Sequence, residues 1–155
     1  MAVRIEYRLV GTGWADCDVT VGASTTAVEA SYLGDALREL VEATLGAVSG
    51  TEYTVAHFWD EPGEYRFVLE RKGDSVRVRI LEFSSLWSDE PDGAGSARLD
   101  ESCGLQEFAE AVLGAALAVL NEYGVEGYKE NWVNHDFPSE AVSKLRLALG
   151  GGTLH

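Results

Sequence analysis

Basic residues are scarce in this chain of 155 residues, and the shortage limits its possible partners. Twelve lysines and arginines stand against 26 aspartates and glutamates, so the formal charge is −14 at pH 7. A charge of this sign repels nucleic acid and anionic lipid, and we therefore predict neither as a partner. An acidic surface attracts a basic protein and raises the rate of encounter, so a basic protein is the partner that we predict. Solubility alone is the other interpretation of the charge.

Cysteine is also rare, and no apolar run of the roughly 18 residues that a membrane span needs stands out. The two cysteines, Cys17 and Cys103, are expected to be reduced thiols. The first ten residues, MAVRIEYRLV, alternate polar and apolar side chains and lack the charged and then apolar segments of a secretory signal. We therefore expect a cytoplasmic protein.

Common catalytic motifs are missing. The sequence contains no glycine-rich phosphate loop, CxxC, HExxH or GxSxG, and a triad or metal site would need His57 or His135. In the stretch HFWDEPGEYRF, strand alternation turns His57 and Asp60 to opposite faces, while Glu61 and Glu64 are expected to be solvated at a turn. We predict no catalytic residue, no metal ion and no cofactor, and we interpret the chain as a binding protein more readily than an enzyme.

Alternation of apolar and polar residues predicts an antiparallel hairpin at the start of the chain. Its two apolar series are Val3, Ile5, Tyr7 and Leu9, and then Ala15, Cys17, Val19 and Val21. A three-residue loop at 11–13, with Gly13 in the left-handed region, pairs Leu9 with Ala15 and Val3 with Val21.

The rest of the chain predicts an α+β domain over residues 1–150, followed by a frayed tail at 151–155. A helix is expected from a capping box at Thr26 to Gly46 or Gly50, because Leu37, Leu40 and Val41 lie on one stripe. Strands follow at about 53–60, 64–72 and 75–83, with a possible sixth at 97–103, and later helices at 105–123, 128–133 and from 138 onward. The predicted architecture is an antiparallel sheet of five or six strands with two or three C-terminal helices packed on one face.

Two turns determine the predicted register of the three-strand meander. A two-residue loop at 73–74 pairs Leu69 with Val78 and Glu70 with Arg77. For the earlier turn, Pro62 and Gly63 fit the second and third positions of a type II turn, and a four-residue loop at 61–64 pairs Ala56 with Leu69 and Trp59 with Arg66. A cation–π contact between Trp59 and Arg66 is then expected.

One face of this predicted sheet gathers arginine, a contrast with the acidic chain as a whole. Its proposed ligand-binding residues are His57, Trp59, Arg66, Glu70, Arg77 and Arg79. Arg4 and Arg8 are expected on the matching face of the first hairpin. Three interpretations stay open: a solvated face with weak ion pairs, a site for a small anion or other small ligand, in a binder or an enzyme, and a homodimer interface.

An acidic loop at 84–97 provides the predicted partner-binding residues, Asp89, Glu90 and Asp92. These acids could bind a basic protein, and the acidic segment 89–101 could cover the arginine-rich face while it is unoccupied. Tyr128 and Trp132 are expected to anchor the C-terminal helices.

Three stretches carry a resemblance to known proteins: EPGEYR, EYGVEGYKENWV and FPSEAVSKLRLAL. Together they resemble an uncharacterised family of small, single-domain bacterial proteins. The family is similar in general form to the immunity proteins of bacterial toxin systems. The resemblance implies a non-enzymatic protein that binds and blocks a cognate toxin, often a basic nuclease, through an acidic face. It implies no catalytic residues.

Overall fold

The computed structural model describes residues 2–85, 89–133 and 135–150. The frayed tail predicted at 151–155 lies outside these residues. Within the described part, seven strands and three helices form an α+β fold with two antiparallel sheets. The strands are β1 Val3–Val10, β2 Trp14–Val21, β3 Ser24–Ser31, β4 Tyr53–Trp59, β5 Glu64–Lys72, β6 Ser75–Phe83 and β7 Ser96–Gly104. The helices are α1 Ala36–Val48, α2 Leu105–Trp132 and α3 Ser139–Ala148, and a 3₁₀ turn spans Asp92–Ala94.

The first sheet has the order β1-β2-β3, and its hairpin has the predicted register. Val3 pairs with Val21 and Leu9 with Ala15, with every residue between them in step. Gly13 has a φ of 84°, the left-handed conformation that the three-residue loop requires. Its amide donates a hydrogen bond to the carbonyl of Asn131 in α2, so the hairpin tip is held against the C-terminal helices.

The expected helix start at Thr26 is wrong, because residues 24–31 form a third strand that pairs with β2 along its whole length. Thr26, Val28 and Ala30 are buried while the residues between them are exposed, which is strand periodicity. Alanine and glutamate in this stretch favour a helix, but the backbone hydrogen bonds with the open edge of β2 outweigh this helix propensity. Helix α1 begins only at Ala36.

The second sheet has the order β4-β5-β6-β7, so the predicted single sheet of five or six strands is replaced by two sheets of three and four. The register of β5 with β6 is as predicted: Leu69 pairs with Val78 and Glu70 with Arg77. The possible sixth strand is present as β7.

The predicted register of β4 with β5 is wrong by two residues. Ala56 pairs with Phe67, not with Leu69, because the four-residue turn is 60–63. The Asp60 amide donates to the Gly63 carbonyl across 2.8 Å, and Pro62 follows a cis peptide bond at the third position of the turn. A slip of two residues preserves the face of every side chain, so the assignment of faces survives the error.

Both sheets turn their apolar face toward one core that reaches from Ile5 to Leu145. Tyr7 of the first sheet meets Phe58 of the second edge to face, with ring centroids 6.3 Å apart. Helix α2 packs on β1, whereas α3 packs on α1 and not on a sheet face as expected. Because both sheets share the core, their outer faces point away from it on different sides. Arg4 and Arg8 therefore do not share a surface with the arginines of β5 and β6.

Helix α2 is interrupted at Gly124, whose φ of 70° and ψ of 174° are not helical. The interruption lies where the sequence predicts the end of a helix, and the following turn carries Tyr128 and Trp132, both fully buried. The length and composition of α2 are sufficient for a helix that crosses a membrane, although no such segment was predicted from the sequence. The core helix of a soluble protein meets the same criteria. Phe108, Val112 and Ala116 of this helix are buried in the shared core.

Candidate binding surfaces

The six predicted ligand-binding side chains lie on the outer face of the second sheet. His57 and Trp59 come from edge strand β4, Arg66 and Glu70 from β5, and Arg77 and Arg79 from β6. We call this surface the arginine face. Its three arginines are held in different ways, and the differences decide what the surface can bind.

The β4 end of the face is turned toward helix α1. The rings of His57 and Trp59 stack with centroids 5.0 Å apart and planes 6° from parallel. One carboxylate oxygen of Glu39 accepts from the His57 backbone amide at 2.8 Å and lies 3.0 Å from His57 Nδ1. Trp59 covers the backbone of Gly34, where an added Cβ would be 1.9 Å from the indole. This end therefore closes the open edge of β4 against α1.

The cation–π contact expected between Trp59 and Arg66 is absent, since His57 is the residue opposite Arg66. The guanidinium of Arg66 lies instead over the ring of Phe83, 4.0 Å from its centroid. Phe83 belongs to a second small apolar cluster, with Val68, Leu81 and Val55, on this outer face.

Arg77 and Arg79 belong to a ladder of ion pairs across β5, β6 and β7. Arg77 donates twice to the carboxylate of Asp100, at 2.9 and 2.8 Å, and this bond holds the pKa of Asp100 below its usual value. Arg79 donates to Glu70 at 2.7 Å. The Arg77 pair is solvent-exposed and adds little to stability.

Arg66 differs because it is almost fully buried. Its Nη1 donates to a carboxylate oxygen of Asp92 at 2.9 Å and to the carbonyl of Glu90 at 3.0 Å. Its Nε lies 3.5 Å from Glu64, a residue that we expected to be solvated but that is only 1% exposed. Glu64 starts β5 directly after the turn and lies on the same face as Arg66, whose charge makes the burial of a carboxylate tolerable.

The predicted partner-binding acids are divided by the fold. Asp89 and Glu90 are exposed, whereas Asp92 turns inward onto the arginine face. The hydroxyl of Tyr53 donates to Asp92 as well. Partial burial opposes ionisation of Asp92, but the hydrogen bonds from Tyr53 and Arg66 outweigh it and lower the pKa of the carboxyl. A shallow cleft of about 290 Å³ opens beside it, between the Tyr53 and His57 rings and residues 89–92.

A second charged surface, which the sequence did not predict, runs from the outer face of the first sheet to the β4–β5 turn and β6 of the second sheet. Asp16 of β2 stands directly opposite Glu29 of β3. Burial, and then the charges of Glu29 and Glu82, raise the pKa of Asp60 to about 6, so the β4–β5 turn lies next to these acids. We call Asp16, Glu29, Asp60 and Glu82 the acidic strip. The pairing of β2 with β3 would have revealed it, had residues 24–31 been read as a strand.

Exposed apolar side chains adjoin the acidic strip at the end of the first hairpin. Val10 and Trp14 form the last pair of that hairpin, and Trp14 lies two residues from Asp16 on the same face. Both are more than one-third exposed. Tryptophan is one of the residues in which the binding energy of protein interfaces is concentrated.

The predicted anchors Tyr128 and Trp132 are both fully buried, and Tyr128 lies near Tyr7 and the partly exposed Asp35. Burial, followed by the charge of Asp35, raises the pKa of Tyr128. The hydroxyls of Tyr7 and Tyr128 and the indole Nε1 of Trp132 have no hydrogen-bond partner among the described residues. Asp35 forms an ion pair with Arg38, whose Nε lies 3.0 Å from Oδ2 of Asp35.

Groups of three or more histidines, cysteines and acids that could hold a metal ion do not occur in the described ranges. Cys17 and Cys103 are free thiols, both buried. No protein-family model, curated protein or solved structure matches the chain, so its surfaces are interpreted from their own geometry.

Proposed function

We propose that this chain is a non-enzymatic, cytoplasmic interaction protein, immunity-like in form, that binds a basic partner protein through the acidic strip. One observation carries the proposal. Asp16 stands opposite Glu29, the charge of Glu29 acts on Asp60, and none of the three has an ion pair with a described residue.

Such an arrangement is unfavourable in the isolated chain. Like charges directly opposite each other across strands destabilise a sheet, by up to about 1 kcal/mol per pair. The neighbouring pair Glu6 and Asp18 shows how the fold can relieve the conflict, because Arg8 bridges the two at 3.4 and 2.9 Å. Arg8 also stands directly opposite Asp16, and the charge of Asp16 helps to raise the pKa of Arg8, but no described residue forms an ion pair within 4 Å with Asp16 or Glu29. A cationic surface from a partner would supply it.

Most arginines of the chain already bind acceptors of the chain itself. Six arginines hold a carboxylate of the chain itself: Arg8, Arg38, Arg66, Arg77, Arg79 and Arg98. Arg71 donates instead to the carbonyls of Ala47 and Val48 at the end of α1. The surface charge available to a partner is therefore negative, which favours fast, salt-sensitive association with a basic protein.

Trp14 and Val10 would provide the apolar contact beside the charged one. Interface energy concentrates in a few aromatic and apolar anchors, while charges at the rim mainly govern specificity and rate. A homodimer through the acidic strip is disfavoured, because it would bring two such strips together. Asp89 and Glu90 remain available as a separate, secondary contact.

The experiment uses the full chain, tagged, as bait in an extract of its source organism at low salt. A captured protein is identified, produced alone and titrated calorimetrically at 50 and 300 mM NaCl. We expect a basic partner, a one-to-one complex, weaker binding at high salt, and a loss of at least tenfold in affinity for Asp16→Asn with Glu29→Gln. The matched control, Asp89→Asn with Glu90→Gln, removes two acids from another surface and should change affinity less than threefold.

The proposal fails if the partner is acidic, or if affinity is indifferent to salt and to the Asp16 and Glu29 changes. Equal losses in the two double variants would also refute it, since a nonspecific charge effect would then explain the binding. A self-associated bait whose dimer survives both double variants would assign the interaction to another surface.

A further inference from the structure

The inward-facing Asp92 points to a second site, which does not depend on the partner proposed above. We infer that Arg66, Arg79 and Tyr53 form a carboxylate-binding subsite on the arginine face, that Asp92 of the chain itself fills it, and that the carboxylate of a small organic acid can take its place.

The polar groups of the subsite come from three different strands and converge on one carboxylate. Arg66 of β5 donates to one oxygen of Asp92 at 2.9 Å. The hydroxyl of Tyr53, on β4, donates to the other oxygen, and Nη2 of Arg79, on β6, lies 3.9 Å from it. The two donors, Tyr53 and Arg66, and the nearby charge of Arg79, which itself donates to Glu70, are fixed on adjacent strands, so a carboxylate that enters loses little energy in arranging them.

The subsite is built into the sheet. The Arg66 side chain is only 8% exposed and rests on the ring of Phe83. The Nε of Arg79 is a buried donor without a hydrogen-bond partner among the described residues. A guanidinium in such surroundings forms a stronger charge-assisted bond than one in water.

Asp92 reaches the subsite from the short turn at 91–95. The backbone bonds of the turn are internal, from Ala94 to Pro91 and from Gly95 to Asp92. Within the described ranges, the polar contacts between residues 89–95 and the sheet include those of the Asp92 carboxylate and the Glu90 carbonyl, and Gly95 packs against Phe83. The anchoring of this turn therefore depends strongly on one side chain, and the cleft beside it leaves room for a small ligand.

The charges around the subsite limit its affinity. Glu64 faces Arg66 and Glu70 faces Arg79, so the cluster without Asp92 is close to neutral. An anion is then recognised by convergent hydrogen bonds more than by net charge. Asp92, tethered to the chain, competes at an effective concentration of roughly millimolar. In the wild-type protein it should exclude weakly binding acids.

Removal of the Asp92 carboxylate should therefore create a site that acetate can refill. The experiment measures thermal unfolding of Asp92→Ala at pH 7 in sodium acetate, against sodium chloride at the same ionic strength. We expect the variant to unfold at a lower temperature than wild type. Acetate at about ten times its Kd should raise its Tm by about 3–5 °C, as linkage predicts for a chain of this size.

Matched variants separate a refilled site from a general salt effect. Asp100→Ala breaks the exposed pair with Arg77 on the same sheet, and its Tm should be the same in acetate as in chloride. In wild type and in Asp92→Asn the side chain at position 92 still fills the subsite, so acetate should not change their Tm either. Adding Arg66→Met to Asp92→Ala should abolish the rescue. If Asp92→Ala does not fold, Asp92→Ser replaces it, since serine is also too short to reach both donors.

A Tm of Asp92→Ala that is equal in acetate and chloride overturns the inference, as does an equal acetate effect in Asp100→Ala. The source of the carboxylate is tested with succinate and with the capped peptide acetyl-Gly-Asp-Gly-amide. A larger shift with succinate supports a small organic acid, whereas a larger shift with the peptide refutes that assignment in favour of an acidic protein segment.

Discussion

Neutralising Asp60 should stabilise the protein at neutral pH and not at acidic pH. Partial burial, and then the charges of Glu29 and Glu82, raise the pKa of this carboxyl from 3.8 to about 6. Between about pH 4 and pH 6 the folded chain therefore holds a proton that the unfolded chain has released. Folding stability falls as the pH rises through this range, and the full deficit is present above pH 6.

The magnitude follows from the size of the shift. About two pKa units correspond to an upper limit of roughly 3 kcal/mol. Asp60 is partly exposed to water, so solvent screening reduces the expected effect to about 1 kcal/mol. Asp60→Asn keeps the size of the side chain and the backbone bond from residue 60 to Gly63, and it removes the charge. We expect the variant to be about 1 kcal/mol more stable than wild type at pH 7.5, and equally stable at pH 4.

Urea unfolding, followed by tryptophan fluorescence at pH 4 and 7.5 and at 50 and 500 mM NaCl, measures the difference. The gain at pH 7.5 should shrink at high salt, because the charges of Glu29 and Glu82 are then screened. Asp89→Asn removes an exposed acid from another surface and serves as the control. An Asp60→Asn variant that is less stable than wild type at pH 7.5, or that gains equally at both pH values, would refute the reasoning and weaken the case for an acidic strip held under repulsion.

Further predictions concern packing and buried groups. Gly63→Ala should lower the free energy of unfolding by about 1–3 kcal/mol, because its Cβ would meet the Phe83 carbonyl oxygen at 2.4 Å; urea titration measures this. Gly114→Ala, with nothing within 4 Å of the new Cβ in helix α2, should instead raise it by up to about 1 kcal/mol, and a loss of stability there would contradict the open environment. Cys17, whose pKa burial raises to about 12, should resist iodoacetamide at pH 8 until the protein unfolds; labelling of the folded chain, detected by mass spectrometry, would contradict its burial. Tyr128→Phe should leave stability unchanged or raise it by up to about 1 kcal/mol, because the hydroxyl has no partner among the described residues; a loss above 1 kcal/mol would reveal a bond to that hydroxyl.

Strand pairing was predictable where alternation and turn chemistry agreed. The register from Val3 to Val21 follows from two apolar series joined by a glycine loop, and the pairing of Leu69 with Val78 follows from the turn at 73–74. The β4–β5 register failed because Pro62 and Gly63 fit more than one turn, and the adopted turn has proline at its third position. Such ambiguity is local, and the local sequence permits both turns.

The third strand shows the limit of local pattern. Residues 24–31 alternate well enough for a strand and contain enough alanine and glutamate for a helix. Whether these residues form a strand or a helix depends on β2, because its outer edge has backbone groups that a further strand can pair with. The error had consequences for function, because it hid the Asp16–Glu29 pair and merged two sheets into one, which joined Arg4 and Arg8 to arginines on a different surface.

The sequence by itself determined the properties that depend on composition and on the periodicity of residues within single strands and helices. These are the negative charge, the faces of individual strands, the break at Gly124, and the grouping of His57, Trp59 and Arg66 on the side of their sheet away from the core. Tertiary structure alone decided which charges meet. Asp92 reaches Arg66 from 26 residues away, and Glu29 stands beside Asp60 because two separate sheets share one core. Electrostatic energy depends on distance through space, which spacing along the chain does not report.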